Sequence, residues 1–272
     1  MPIKDILVAL APRTELDPAR DYALGMAGAH RAHVTAAAYP IIPEVGRGLY
    51  PQFVSGLVKQ CQDEAEAAVK AARATFEKAA ASAGVSHSFH GFCSSLHAVT
   101  TDFATRLRTA DAAVLTQHAD DMERVGDRFI EEALLRSGRP IIVVPRDSNA
   151  VFSTERVLIA WDGSIHAARA MAGAMSLLEG ASIKVFTVEE APKGDSRGNA
   201  LVDHLRRHGL DAHLSQRNES DVAATIMKEA ESFRATLVVM GGYGHSRLRE
   251  FVFGGATRQM LRHMPAPVLM AH

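Results

Sequence analysis

A glycine-rich segment at residues 241–255 is the part of the chain best suited to chemistry. It follows a short apolar run, residues 237–240, and precedes a stretch of helix formers, Ala256–His263. Its glycines are Gly241, Gly242, Gly244, Gly254 and Gly255. Glycine lets backbone N–H groups come close to an anion, and a helix N-terminus adds N–H donors and a favourable dipole. The pattern therefore indicates a phosphate-binding loop, although it is neither a P-loop nor the G-x-G-x-x-G dinucleotide fingerprint.

A second loop, Trp161-Asp162-Gly163-Ser164, comes directly after the run Arg156–Ala160. Asp162 could accept hydrogen bonds from a ribose hydroxyl, Gly163 permits a sharp exit from a strand, and Ser164 could cap a following helix. The alternative interpretation is a turn and helix cap with no ligand, because Asp, Gly and Ser are common turn residues. In parallel sheets, ligands bind at the carboxyl ends of strands where the strand order reverses. We therefore expect the two loops to lie close together.

Apolar runs alternate with helix-forming stretches along the whole chain, and this pattern occurs twice. The first run, residues 6–10, is repeated by the run ending at Ala160 at an offset of 151 residues. The last run of the first half, residues 140–143, is repeated at residues 267–270. Alternating strands and helices predict a mostly parallel sheet covered on both faces. The fold class is therefore α/β, with two tandem doubly wound, Rossmann-like domains at residues 1–148 and 152–272.

Composition narrows the classes of function. The chain has 272 residues, 47% of them apolar and 22% charged, which is typical of a soluble globular protein. A net charge of -1 gives no support for nucleic-acid binding. No apolar run approaches the roughly 18 residues of a membrane span, and no secretory leader precedes the first strand, so we expect a cytoplasmic protein. His87 and His90, although close to Cys93, are expected on opposite faces of one strand, which disfavours a metal site.

The two loops together resemble the universal stress protein family, in its tandem two-domain form. Gly241-x2-Gly244-x9-Gly254 fits the family's G-x2-G-x9-G motif, and Asp162 fits its aspartate after the first strand. One position departs from the pattern, because the family has Ser or Thr where this chain has Gly255. A hydroxyl donor is lost there, while the backbone N–H donor remains.

The resemblance implies an adenine-nucleotide site in the second half, with ATP as the ligand, with or without Mg²⁺. It implies neither a catalytic residue nor a metal ligand in the protein. Residues that would line the adenine pocket are Ala160 and Val188, and Asp162 would face the ribose or the adenine. The resemblance places Met240 and Gly241 below the base and the ribose. Backbone N–H groups for the phosphates would come from Gly244, Gly254, Gly255 and Ala256.

The first half lacks these features. Ala11 stands at the offset position of Asp162, and the segment after the fourth strand contains Asp120 and Asp121, which would repel a phosphate. We therefore expect this half to bind no nucleotide in the same way, and to pair with the second half through the terminal strands Ile141–Val144 and Val268–Met270. Such pairing covers hydrophobic edges. The sequence leaves open whether the chain also forms a homodimer.

Three functions fit the sequence. The first is a cytoplasmic stress-response protein that binds ATP and acts as a sensor or regulator, since no general base for attack on a γ-phosphate is evident. The second is a slow ATP hydrolase that uses the same pocket. The third is a nucleotide-free interaction module, in which Gly255 marks a site in decay.

Overall fold

The computed structural model describes residues 2–10, 16–42, 51–118, 123–147, 151–188, 197–242 and 255–272. Below, the first half ends at Asp147 and the second half begins at Val151. The first half contains β1 (Asp5–Ala9), α1 (Pro18–His30), β2 (His33–Ala38), α2 (Pro51–Ser82), β3 (His87–Gly91), α3 (Leu96–Leu107), β4 (Ala112–Thr116), α4 (Glu123–Ser137) and β5 (Ile141–Val144). The second half contains β6 (Arg156–Ala160), α5 (Ile165–Ala174), β7 (Ser182–Val188), α6 (Arg197–Arg207), β8 (Asp211–Arg217), α7 (Val222–Phe233), β9 (Leu237–Gly241), α8 (Gly255–Arg262) and β10 (Val268–Ala271).

The strands form one ten-stranded sheet in the order β3-β2-β1-β4-β5-β10-β9-β6-β7-β8. Neighbouring strands are parallel within each half. Continuous apolar runs form most of the inner strands because a parallel sheet is buried on both faces, whereas the edge strands β3 and β8 are more polar. Ile6, Leu7 and Val8 on β1, for example, are all buried.

The two halves meet at an antiparallel pair, β5 with β10, and this confirms the predicted contact between the terminal strands. Val268 lies opposite Val143, and Met270 lies opposite Ile141. Both strands are fully buried along the paired residues. The pairing removes two hydrophobic edges that would otherwise invite aggregation.

Helices cover the sheet in two layers, each with its own apolar core. One core contains residues of α1, α2, α5 and α6, and the other contains residues of α3, α4, α7 and α8. Within each half the chain therefore lays two helices on one face and then two on the other, which confirms the doubly wound α/β class. Within the described residues, no helix is both long and apolar enough to cross a membrane.

Two helices differ from the sequence prediction by more than two residues at one end. The pattern predicts α4 from Arg128, but the helix begins at Glu123 and so contains Gly126. The ring of His118 occupies the space in which a Cβ of Gly126 would lie, so this glycine permits a close contact and does not break the helix. Helix α5 is predicted to Leu178 but ends at Ala174, where the chain tightens into a 3-10 turn.

Candidate functional site

The candidate site lies at the carboxyl ends of β6 and β9, which are neighbours in the sheet. After β6 the chain passes to α5 on one face, and after β9 it passes to α8 on the other. The connections therefore diverge and open a crevice at this edge, which is where doubly wound sheets bind ligands. The two loops identified in the sequence both begin at this crevice.

An apolar surface forms the floor of the crevice on the face covered by α7 and α8. Ala160 pairs with Met240 on one side and with Phe186 on the other. Val188 lies two residues beyond Phe186 and thus on the same face of the sheet. Met240 is buried, whereas Ala160 and Val188 are half-buried at the end of their strands. Three of the predicted site residues therefore share one face and one edge.

The loop after β6 is a tight turn that ends in a helix cap. The Ser164 N–H donates to Asp162 Oδ1 at 2.8 Å, and Gly163 has φ 74°, a conformation that favours glycine. The Ser164 hydroxyl in turn accepts from the Ala167 N–H at 3.1 Å, which caps α5. The turn holds the exposed carboxylate of Asp162 at the rim of the crevice.

At two positions of the predicted loop, close packing explains why the residue is glycine. A Cβ on Gly241 would lie 2.7 Å from the Ala167 nitrogen, and one on Gly242 would lie 3.2 Å from Leu134 Cδ1 in the first half. The Gly242 N–H also donates to the Ala271 carbonyl at 3.0 Å. The end of β9 is therefore packed tightly against both α5 and the first half.

The phosphate side of the predicted site is described only in part. Gly244 and Gly254 lie outside the described residues. Gly255 and Ala256 are the first two residues of α8, so their N–H groups have no partner within the helix. Gly255 is exposed, and a Cβ there would meet no described atom within 4 Å.

In the first half, side chains also cap the N-terminus of α1, the helix that corresponds to α5. Strand pairing makes Thr116 the counterpart of Gly241. The Thr116 hydroxyl accepts from the Ala19 N–H at 3.2 Å, and Asp17 Oδ1 accepts from the Arg20 N–H at 3.1 Å. The chain itself thus satisfies the first donors of α1. Ala11, which stands at the offset position of Asp162, lies outside the described residues.

Sequence reasoning missed a pair of stacked histidines at the edge of the crevice. The rings of His166 and His272 lie 4.2 Å apart at 25°, and His272 Nδ1 lies 3.2 Å from the Gly242 carbonyl oxygen. His166 lies in the first turn of α5, and His272 follows β10. They are far apart in the sequence, so no local pattern links them. They connect α5, the residue after β10 and the end of β9.

A small cleft lies between α8 and the first half. Its volume is about 50 Å³, and its walls are Gln117, His118, Gly126, Asp127, Ile130, Val143, Arg258, Leu261 and Arg262. Gln117 Nε2 donates to the carbonyls of Leu261 at 2.7 Å and Arg262 at 3.0 Å. The first half therefore caps the C-terminus of the helix whose N-terminus borders the candidate site.

Residues 153–272 match the model of the universal stress protein family. A curated universal stress protein of Synechocystis is 29% identical over 147 residues, which cover 51% of this chain and 49% of that protein. The match thus spans about half the length of this relative.

Among solved structures, a universal stress protein from Archaeoglobus fulgidus has a TM-score of 0.70 at 17% identity, over 98% of this chain and 97% of its own. A protein from Pseudomonas aeruginosa described as a putative universal stress protein has a TM-score of 0.61 at 15% identity, over 98% and 92%. At such identities the likeness shows that the fold is shared along nearly the whole chain.

Proposed function

We propose, from the match of residues 153–272 to the universal stress protein family, that the second half of the chain binds an adenine nucleotide, with ATP as the ligand. The protein would then act as a regulator that responds to nucleotide. The resemblance to the family and the features of the crevice support this role. They also support a part in the stress response.

The observation that carries the proposal is the apolar floor of Ala160, Val188 and Met240 beside the exposed carboxylate of Asp162. A purine can lie on such a floor, since ligand pockets are mostly apolar with a few placed polar groups. A carboxylate can accept several hydrogen bonds, and that of Asp162 accepts one from the Ser164 N–H at Oδ1. Asp162 is exposed at the rim of the crevice and is the carboxylate that would accept hydrogen bonds from ribose hydroxyls.

The phosphates would extend from the ribose towards the N-terminus of α8. Gly255 and Ala256 offer backbone N–H groups there, and the helix dipole favours negative charge. By the sequence motif, Gly244 and Gly254 would supply further N–H groups. Any Mg²⁺ would arrive bound to the phosphates of the nucleotide.

We also place the protein in the cytoplasm. Cys61 and Cys93, the two cysteines of the chain, are both free. Free thiols are typical of a reducing compartment. Fractionation of cells that express the tagged chain checks this, and recovery from the membrane or from the medium would contradict it.

Equilibrium titration of the purified chain with ATP, ADP, AMP and cyclic AMP tests the nucleotide site. Asp162→Asn keeps an oxygen that can accept from the Ser164 N–H, but it removes the charge that would face the ribose. A hydrogen bond to a charged group contributes roughly 1.5–3 kcal/mol, so affinity should fall about tenfold to a hundredfold.

Glu179→Gln is the matched control, because Glu179 is an exposed carboxylate before β7, at the opposite edge of the sheet. It should leave affinity unchanged. Circular dichroism confirms that each variant is folded. Unchanged binding by Asp162→Asn, or no binding of any adenine nucleotide to the native chain, would refute the proposal.

A further inference from the structure

Tyr39 in the first half stands where Val188 stands in the second. Ala37 and Phe186 are counterparts, because each lies opposite the last residue of the first strand in its half. Tyr39 follows Ala37 by two positions, as Val188 follows Phe186. Both side chains therefore belong to the carboxyl edge of the second strand and to the same face of the sheet. In the second half this is the floor on which we place the base.

The ring of Tyr39 lies among aromatic side chains of the first half. Its centroid is 6.0 Å from that of Phe103 at 89°, 5.8 Å from that of Phe129 and 6.0 Å from that of His90. Edge-to-face contacts at such distances are favourable. Where the second half presents Val188, the first half presents an aromatic ring that packs against three other aromatic rings.

The hydroxyl of Tyr39 has a polar anchor. It donates to Asp102 Oδ2 at 2.8 Å, and the same oxygen accepts from Arg106 Nε at 2.8 Å and lies 3.0 Å from His90 Nε2. Burial raises the pKa of Tyr39, and the hydrogen bond to Asp102 raises it further, so the phenol stays protonated and remains a donor. The ring is thus held as a bound phenol would be, with apolar walls and a carboxylate at its polar end.

We propose that Tyr39 is the internal occupant of a pocket in the first half that corresponds to the base pocket of the second half. The pocket has the shape and polarity for a phenol, and its own tyrosine excludes any other ligand. As a consequence, the chain binds one nucleotide and not two. This last consequence rests on the proposed function, whereas the occupied pocket does not.

Removal of the ring tests the pocket. In Tyr39→Ala, p-cresol, which is the side chain of tyrosine as a free molecule, should bind and raise Tm. Toluene, which lacks the hydroxyl, should bind about tenfold or more weakly, since a hydrogen bond to a carboxylate is lost. Tyr22→Ala is the matched control. Tyr22 is fully buried in the other core, and its hydroxyl has no hydrogen-bond partner among the described residues, so its cavity should show no preference for p-cresol.

Two further variants keep the test decisive if Tyr39→Ala does not fold. Tyr39→Val introduces the residue that the second half has at this place, and it should bind p-cresol in the same way. Tyr39→Phe keeps the pocket filled and should respond to neither compound. Equal affinity for p-cresol and toluene, or no binding to either small variant, would overturn the proposal.

Nucleotide stoichiometry tests the consequence separately. The native chain should bind one ATP, and two per chain would show that Tyr39 does not exclude the ligand. If no nucleotide binds, the proposed function fails, while the p-cresol experiment still decides whether the pocket exists.

Discussion

Gly241 at the end of β9 lies directly against the first turn of α5, where a Cβ would stand 2.7 Å from the backbone nitrogen of Ala167. Real Cβ atoms do not come so close to backbone, so a larger residue would force β9 and α5 apart. The first glycine of the motif is therefore required by packing, independently of any phosphate. This distinguishes it from Gly255, at which a Cβ would meet no described atom within 4 Å.

Gly241→Ala should therefore lower the free energy of unfolding, by about 1–3 kcal/mol, the usual cost of overpacking. Gly255→Ala is the matched control, since it adds the same methyl group at an exposed helix start and should be neutral or stabilising by up to about 1 kcal/mol. Urea denaturation of both variants measures the difference. Equal stability of the two would contradict the packing argument.

Much of the fold could be predicted from the sequence, because buried parallel strands are continuous apolar runs. The offset of 151 residues between the halves correctly matches Ile6 with Val157, which occupy equivalent places in the sheet. The contact of β5 with β10 follows from the same argument, since both are short, apolar and terminal.

The offset fails wherever loops differ in length, and this is why the site could be predicted only in part. The helix caps Asp17 and Ser164 are 147 residues apart, not 151, because the first connection is longer. Tyr39 and Val188 correspond at yet another offset, which only the strand register reveals. The stack of His166 on His272 has no local signal at all, since packing of distant elements creates it.

Gly255→Ser should strengthen nucleotide binding if the proposed site is correct. It restores a hydroxyl donor at the N-terminus of α8, and no described atom lies where the new Cβ would be. The expected gain is about tenfold to a hundredfold in affinity for ATP. Gly255→Ala is again the control, as it adds the Cβ without the donor. Isothermal titration compares the two, and equal affinities would show that the hydroxyl finds no phosphate.

Removing the charge of Arg106 and removing that of Asp102 should shift the pKa of His90 in opposite directions. Burial lowers this pKa below 6.5, the positive charge of Arg106 lowers it further, and Asp102 raises it. Arg106→Gln should therefore raise the pKa of His90, and Asp102→Asn should lower it. NMR titration of the imidazole protons measures both. A shift of the same sign in the two variants would mean that structural change, not charge, dominates.

A lowered pKa at His90 also has a consequence for stability. Between its folded pKa and the ordinary value of 6.5, the unfolded chain binds more protons than the folded chain, so stability rises with pH. His30 and His118 act in the same direction, because burial lowers the pKa of each. The midpoint of urea unfolding should therefore fall as the pH drops from about 7.5 to 5, and His90→Gln should reduce this fall. A midpoint that rises on acidification would contradict the assignment.

Gln117 joins the first half to the end of α8, and its loss should weaken that junction. Its Nε2 donates to the carbonyls of Leu261 and Arg262, and its Oε1 accepts from the Arg146 N–H at 3.2 Å. Gln117→Met preserves the length of the side chain but removes these hydrogen bonds. The expected loss is about 1–2 kcal/mol in the free energy of unfolding, since each intramolecular hydrogen bond contributes roughly 0.5–1.5 kcal/mol.

Gln117→Glu should be no better than the methionine variant, because a negative charge faces the negative end of the dipole of α8. Gln216→Met, at an exposed position on β8, is the matched control and should change stability little. Urea denaturation measures all three variants, and hydrogen exchange should quicken in the last turn of α8 only when Gln117 is replaced. If Gln117→Met and Gln216→Met proved equally stable, with unchanged exchange in α8, the contact would have no part in holding the helix whose N-terminus borders the proposed nucleotide site.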